Sequence, residues 1–286
     1  MLCGCARAHP DGGGRRLAER RDRGRDRDVR ARAERVAAGR RVKPLLVVKT
    51  GTTLPEVRAA RGDFEAWIER GLALERARVE VVAVFEGDAL PAPRDVTGIV
   101  VTGSSAMVSE REPWSERAAA WLARAVAARV PVLGICYGHQ LLAHALGGRV
   151  GPNPHGREIG TVDVDLLPDA AGDALLGDAP ARERFHATHV EAVLALPRAA
   201  RRLARTALDP HHAFRIDDAR GAVAWGVQFH PEFDEHVMRG YLEARREALE
   251  AEGLDARAAL ERVAPTPAGP QLLARFGRIA EGSDSR

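Results

Sequence analysis

The sequence predicts an α/β protein: an open, mixed and mostly parallel sheet with helices on both faces and a sharp strand–turn–helix elbow. Three observations carry this. From Lys43 onward, short apolar runs alternate with amphipathic stretches, the pattern of buried βαβ units. The run Val130-Pro131-Val132-Leu133 leads directly into Gly134-Ile135-Cys136-Tyr137-Gly138 and a helical stretch closed by Gly147-Gly148, a strand that turns tightly into a helix. Beyond Gly148 the apolar residues alternate with a period of two, as Ile159, Thr161-Val162, Val164 and Leu166, which fits antiparallel strands added to the parallel set.

The elements follow in order. Leu45-Leu46-Val47-Val48 reads as a first strand, Phe64 to Leu74 as a helix, and Val79 to Phe85 as a second strand. Gly98 to Thr102 is a third strand, Trp114 to Arg129 a long helix, and Val130 to Ile135 the strand that delivers Cys136. Open α/β sheets place their sites at the carboxyl ends of such strands. Glu158 to Leu166 and Ala222 to Phe229 are later strands, the second ending at His230. Asp234 to Glu252 and Leu254 to Val263 are helical stretches before Pro265-Thr266-Pro267. The division expected is an Arg/Gly-rich, disordered extension over 1–42, one enzyme domain over 43–250, and a peripheral, partly helical tail over 251–286. No internal repeat is visible.

A chain of 286 residues with 45% hydrophobic content can bury a sizeable core. The net charge of +3 conceals an asymmetry: residues 1–43 hold 14 Lys/Arg against 6 Asp/Glu, the remainder 29 against 34. The basic arm has few apolar residues with which to offset its ordering entropy. Its interleaved Asp residues and lack of aromatics argue against nucleic-acid binding. Neither a signal peptide nor a transit peptide fits it, and no run approaches the ~18 apolar residues of a membrane span. Cys3 and Cys5 lie in the arm, and only Cys136 falls in the folded part. A lone interior Cys suits a reducing, cytoplasmic setting and is a nucleophile candidate if a His and an acid join it in space.

Val227-Gln228-Phe229-His230-Pro231-Glu232 supplies both, nearly a hundred residues later and again at the end of an apolar strand. A free thiol with pKa about 8.5 is mostly protonated at neutral pH. A helix N-terminus and an imidazolium would favour the thiolate, so Cys136 reads as nucleophile and His230 as its base. Glu232, two residues on in an extended segment, would face the same side as His230 and orient the ring. Glycines flanking Cys136 at two residues' distance allow close backbone approach around a strained Cys. An oxyanion needs backbone donors; Tyr137 N–H is one, and the small-residue turn Thr102-Gly103-Ser104-Ser105 would give the other. His144, His155, His211, His212 and His236 lack a comparable setting, no metal-ligand spacing is present, and no cofactor is expected.

With these residues in hand the chain resembles a class I, triad-type glutamine amidotransferase, free-standing and similar to the amidotransferase domain of GMP synthase. The resemblance covers roughly Lys43 to Glu250 and is carried by Gly134 to Gln140 and Trp225 to Phe233. It implies a flavodoxin-like fold, with Cys136 as nucleophile, His230 as base and Glu232 as its orienter. Thr188-His189-Val190-Glu191 looks like the family's Ser-His-Gly-Asp segment, and Gly103-Ser104-Ser105 stands where Gly-Gly-Pro is usual. By that likeness Gln140, Thr188 and His189 contact the substrate's amino-acid end, while Ser104 keeps its backbone donor and narrows the space beside the amide.

The implied reaction is attack on the glutamine carboxamide, loss of ammonia and hydrolysis of a γ-glutamyl thioester. No P-loop pattern occurs, so an acceptor site lies elsewhere, on a separate synthetase subunit, or does not exist, the chain then being a glutaminase. A γ-glutamyl peptidase or hydrolase using the same three residues is a second reading, and a regulatory subunit with a dormant triad a third. The expected ligand is a small molecule, glutamine or a γ-glutamyl compound.

Overall fold

The computed structural model describes residues 43–283. The arm over 1–42, with Cys3 and Cys5, lies outside the described residues. In chain order the elements are β1 (Leu45–Lys49), α1 (Pro55–Arg61), α2 (Phe64–Leu72), β2 (Val79–Ala83), β3 (Gly98–Val101), α3 (Pro113–Ala127), β4 (Val132–Ile135) and α4 (Tyr137–Ala145). There follow β5 (Arg149–Pro152), β6 (Glu158–Leu166), β7 (Arg182–His189), β8 (Glu191–Ala195), β9 (Ala200–Arg205), β10 (Ala213–Asp218) and β11 (Gly221–Val227). Helices α5 (Glu235–Ala244), α6 (Arg246–Ala251), α7 (Ala256–Glu261) and α8 (Ala268–Ser283) end the described chain.

Nine strands form one sheet in the order β2-β1-β3-β4-β11-β10-β9-β6-β7. The first five are parallel and the rest antiparallel, so the sheet is mixed. Successive side chains of a strand point to opposite faces, and both faces are covered. Leu46, Val48, Ile99 and Val101 pack with Trp121 and Leu122 of α3 and Leu141 and Leu142 of α4. Leu45, Val47, Val100 and Leu133 pack on the other face with Ile68 of α2 and Leu273 and Phe276 of α8. Each of these fully buried aliphatic side chains contributes about 1.5–3 kcal/mol.

Two readings of the chain's end differ from this structure. The sequence sets 251–286 apart as a peripheral tail, yet α8 buries Leu272, Leu273, Phe276 and Ala280 against the main sheet. Its apolar residues recur on one helical face, and that face completes the core. The stretch from Asp234 to Glu252 is two helices rather than one, broken at Arg245.

The elbow depends on two glycines. A β-carbon on Gly134 would lie 2.3 Å from the Gly138 carbonyl oxygen, and one on Gly138 2.5 Å from the Val101 carbonyl oxygen. Both contacts are with backbone, which cannot step aside cheaply. Gly138→Ala is therefore expected to cost about 1–3 kcal/mol, read as a lower denaturant midpoint. An unchanged midpoint would show that the elbow is not packed this tightly.

Candidate active site

At the end of β4 the chain turns through Cys136 with φ 51° and ψ −102°, a strained conformation for a residue with a β-carbon. Neighbouring hydrogen bonds hold it there: Cys136 N–H donates to Val227 O at 2.8 Å, Gly138 N–H to Thr102 O at 3.2 Å and Gln140 N–H to Cys136 O at 3.1 Å. The strand feeds its last residue directly into α4, so Tyr137 is the first helical residue and its N–H has no intrahelical acceptor. The Cys136 sulfur is buried and lies 3.7 Å from the Thr188 carbonyl oxygen.

His230 follows β11, the strand beside β4. Its backbone N–H donates to His186 O at 2.8 Å, and its Nδ1 lies 2.7 Å from Glu232 Oε1. The sequence places these two side chains together along an extended segment; in the structure they meet across a turn, closed by Phe233 N–H donating to His230 O at 3.3 Å. The ring stacks on Phe233 with centroids 4.1 Å apart and on Phe64 at 6.2 Å. Gly103 lets the ring in, since a β-carbon there would lie 3.0 Å from His230 Cε1. The Nε2 of His230 has no hydrogen-bond partner.

Burial alone would lower the affinity of His230 for a proton. The negative charges of Glu232 and Cys136 outweigh it and push the imidazole up to about 10, so the charged ring is favoured through the neutral range. Its neighbour His186 is driven the other way, down to about 4, by burial and by the charge on His230. One ring of the pair is charged and the other neutral.

Cys136, His230, Ser104, Tyr137, Gln140, Thr188 and His189 line one cavity of about 150 Å³. Glu232 is buried behind His230, and Gly103 packs against the imidazole edge. The cavity opens at the carboxyl ends of β3 and β4. Its turn is rigid: Ser104 Oγ donates to Thr50 O at 2.9 Å and accepts from Ala106 N–H at 3.1 Å. The Ser104 hydroxyl thus holds the turn, while Thr102 Oγ1 accepts from Thr50 N–H at 3.0 Å.

Residues 60–245 match the family model described as glutamine amidotransferase class-I. The chain belongs to the class-I glutamine amidotransferase family. It is 40% identical over 146 residues to the glutamine-hydrolysing GMP synthase of Aeropyrum pernix, which covers 51% of this chain and 25% of that protein. It is 38% identical over 135 residues to the glutamine-hydrolysing GMP synthase of Thermomicrobium roseum, 47% of this chain and 23% of the relative. The chain thus spans about a quarter of the length of these curated relatives. In fold it is similar to a Thermotoga maritima glutamine amidotransferase, with TM-score 0.63, 23% identity, and 83% and 98% of the two chains covered. A glutamine amidotransferase from Methylobacillus flagellatus gives TM-score 0.63 at 23% identity, covering 84% and 95%.

In this amidotransferase domain, the side chains expected to touch the substrate's amino-acid end are largely engaged elsewhere. His189 Nδ1 donates to Glu191 O at 2.8 Å and its Nε2 lies 3.0 Å from Glu158 Oε2, which leaves no ring nitrogen for a ligand. Gln140 Nε2 donates to Glu191 O at 2.8 Å and to Gln228 Oε1 at 3.0 Å. Tyr137 gives its hydroxyl to a 2.6 Å hydrogen bond with Ser115.

Several residues of the wall, and two buried behind it, escape sequence reasoning. His212 Nε2 also lies 3.0 Å from Glu158 Oε2, and this buried Glu158–His189–His212 group is the one cluster of metal-ligand type identified among the described residues. Its two contacts are hydrogen-bond distances, which accounts for the cluster without an ion. Burial would raise the Glu158 carboxyl, but the two histidines outweigh it and hold it below the usual range. Glu158, His189 and His212 lie too far apart in sequence for any spacing rule to join them. Glu191, Arg157, Tyr241 and Arg245 also line the cavity. Arg245 carries no sequence signal. Among the described residues, no helix is long and apolar enough to cross a membrane.

Proposed function

We propose that this chain hydrolyses the side-chain amide of glutamine through a γ-glutamyl thioester on Cys136 and releases ammonia to an acceptor bound by a synthetase partner. The observation that carries the reading is the buried His230–Glu232 pair, 2.7 Å apart, on the same cavity as a strained Cys136. The Cys136 sulfur attacks the carbonyl carbon of the side-chain carboxamide, and the resulting oxyanion takes hydrogen bonds from Tyr137 N–H and the backbone of the 103–105 turn. His230 gives its proton to the departing nitrogen, the C–N bond breaks, and ammonia leaves. Water gives a proton to the now neutral His230 while its oxygen cleaves the thioester to glutamic acid, restoring the Cys136 thiolate and the His230 imidazolium. Glu232 holds the ring and stabilises its charge. The names of the relatives support a glutamine-dependent synthetase as the consumer of the ammonia. A catalytic thiol is kept reduced in the cytoplasm.

Two measurements bear on this. Ammonia release from glutamine is compared with amino-acid release from γ-glutamyl dipeptides; turnover of dipeptides alone would replace glutamine hydrolysis with γ-glutamyl peptide hydrolysis, and turnover of neither would leave a binding role. The pH profile reports His230. Because Glu232 and Cys136 raise its proton affinity, kcat/KM is expected to fall on the alkaline side well above the ordinary His value of about 6.5. Glu232→Gln is expected to move that limb to lower pH. An alkaline limb centred near 6.5 in the wild type would contradict the raised imidazole.

A further inference from the structure

We propose that Arg245 is the anion-recognising residue of this cavity and that it takes a carboxylate of the substrate. The inference rests on the cavity around Cys136 being the substrate site, and it adds what that substrate must present. Arg245 ends α5, four residues after Tyr241, and both side chains line the cavity that holds Cys136. Its Nε is buried and has no hydrogen-bond partner, and no carboxylate of the described residues forms an ion pair with it. Arg157 lines the same wall, but Glu252 holds it through two 2.8 Å hydrogen bonds. The Tyr241 hydroxyl is likewise committed, 2.7 Å from Thr53 Oγ1.

Two guanidinium groups therefore line the wall; Glu252 is hydrogen-bonded to Arg157 and attracts Arg245 only at longer range, while the lining carboxylate of Glu191 accepts from Ser109 N–H. A half-buried cation without a partner is costly, and the proximity of Arg157 adds repulsion to the loss of water around Arg245. A carboxylate entering the cavity relieves both, and the planar fork of Arg245 suits two-point binding. Glutamine and γ-glutamyl amino acids share that chemistry. The carboxylate is either the one on the substrate's α-carbon or one carried by the group beyond the γ-nitrogen.

Affinity measured by calorimetry in the Cys136→Ala protein separates this from the chemistry, because no turnover is needed; wild-type turnover tests the thioester reading on its own. The probes are glutamine and γ-glutamylglycine. Adding Arg245→Gln is expected to weaken binding by about tenfold or more. Equal loss for both probes places the α-carboxylate at Arg245; loss for γ-glutamylglycine alone places its terminal carboxylate there. Arg245→Lys is expected to recover part of the affinity, since it keeps the charge but loses the fork. Affinity for both probes within twofold of the parent would overturn the proposal. So would an equal loss in Arg245→Lys and Arg245→Gln accompanied by a lower melting temperature, which marks a structural role.

Discussion

Cys136→Ala abolishes glutamine hydrolysis, lowering kcat/KM by at least roughly four orders of magnitude, while leaving the melting temperature within a few degrees of the parent. The first part follows because no other thiol or hydroxyl is held at this bend: the Ser104 hydroxyl is bound to Thr50 O and Ala106 N–H. The second follows because the strained backbone at φ 51° is held by the hydrogen bonds of Cys136 with Val227 and Gln140 and of Gly138 with Thr102, none of which uses the sulfur. Alanine keeps the β-carbon and loses the weak 3.7 Å contact with Thr188 O and the attraction of the sulfur for His230. Ammonia release that survives the substitution would remove Cys136 from the reaction.

Glu232→Gln lowers kcat/KM by roughly 10²- to 10⁴-fold, less than loss of the sulfur. Glutamine fills the same volume and can still present an oxygen to His230 Nδ1. It cannot supply the negative charge that, with Cys136, raises His230 against the effect of burial. The imidazole stays in place between Phe64 and Phe233 but holds its proton less firmly, so the loss falls mainly on kcat. Damage equal to or greater than that of Cys136→Ala would contradict this division of roles.

The elbow was legible because its signal is local. Gly134, Cys136 and Gly138 lie within five residues, and both glycines are forced by close backbone contacts that no β-carbon tolerates. The apolar runs of β1, β3 and β4 were legible for a similar reason, being buried on both faces. Other features have no local trace. Strands β7 and β9 are rich in Arg and pair with strands outside any tight hairpin. His186 of β7 reaches His230 through an isolated bridge, and Glu158 draws in His189 from the end of β7 and His212 from just before β10. The spacing of Leu272, Leu273, Phe276 and Ala280 does fit one face of a helix; what the sequence lacked was the sheet face that helix covers. Arg245 is one arginine among many until the fold sets it on the cavity beside Arg157.

The most direct test is rapid quenching of the wild-type protein with glutamine, followed by mass spectrometry of the peptide that carries Cys136. A γ-glutamyl group on that sulfur, absent when Cys136 is replaced by Ala, is the expected result. Turnover of glutamine with the acyl group on a different residue, or with none formed under conditions that trap thioesters, would contradict it.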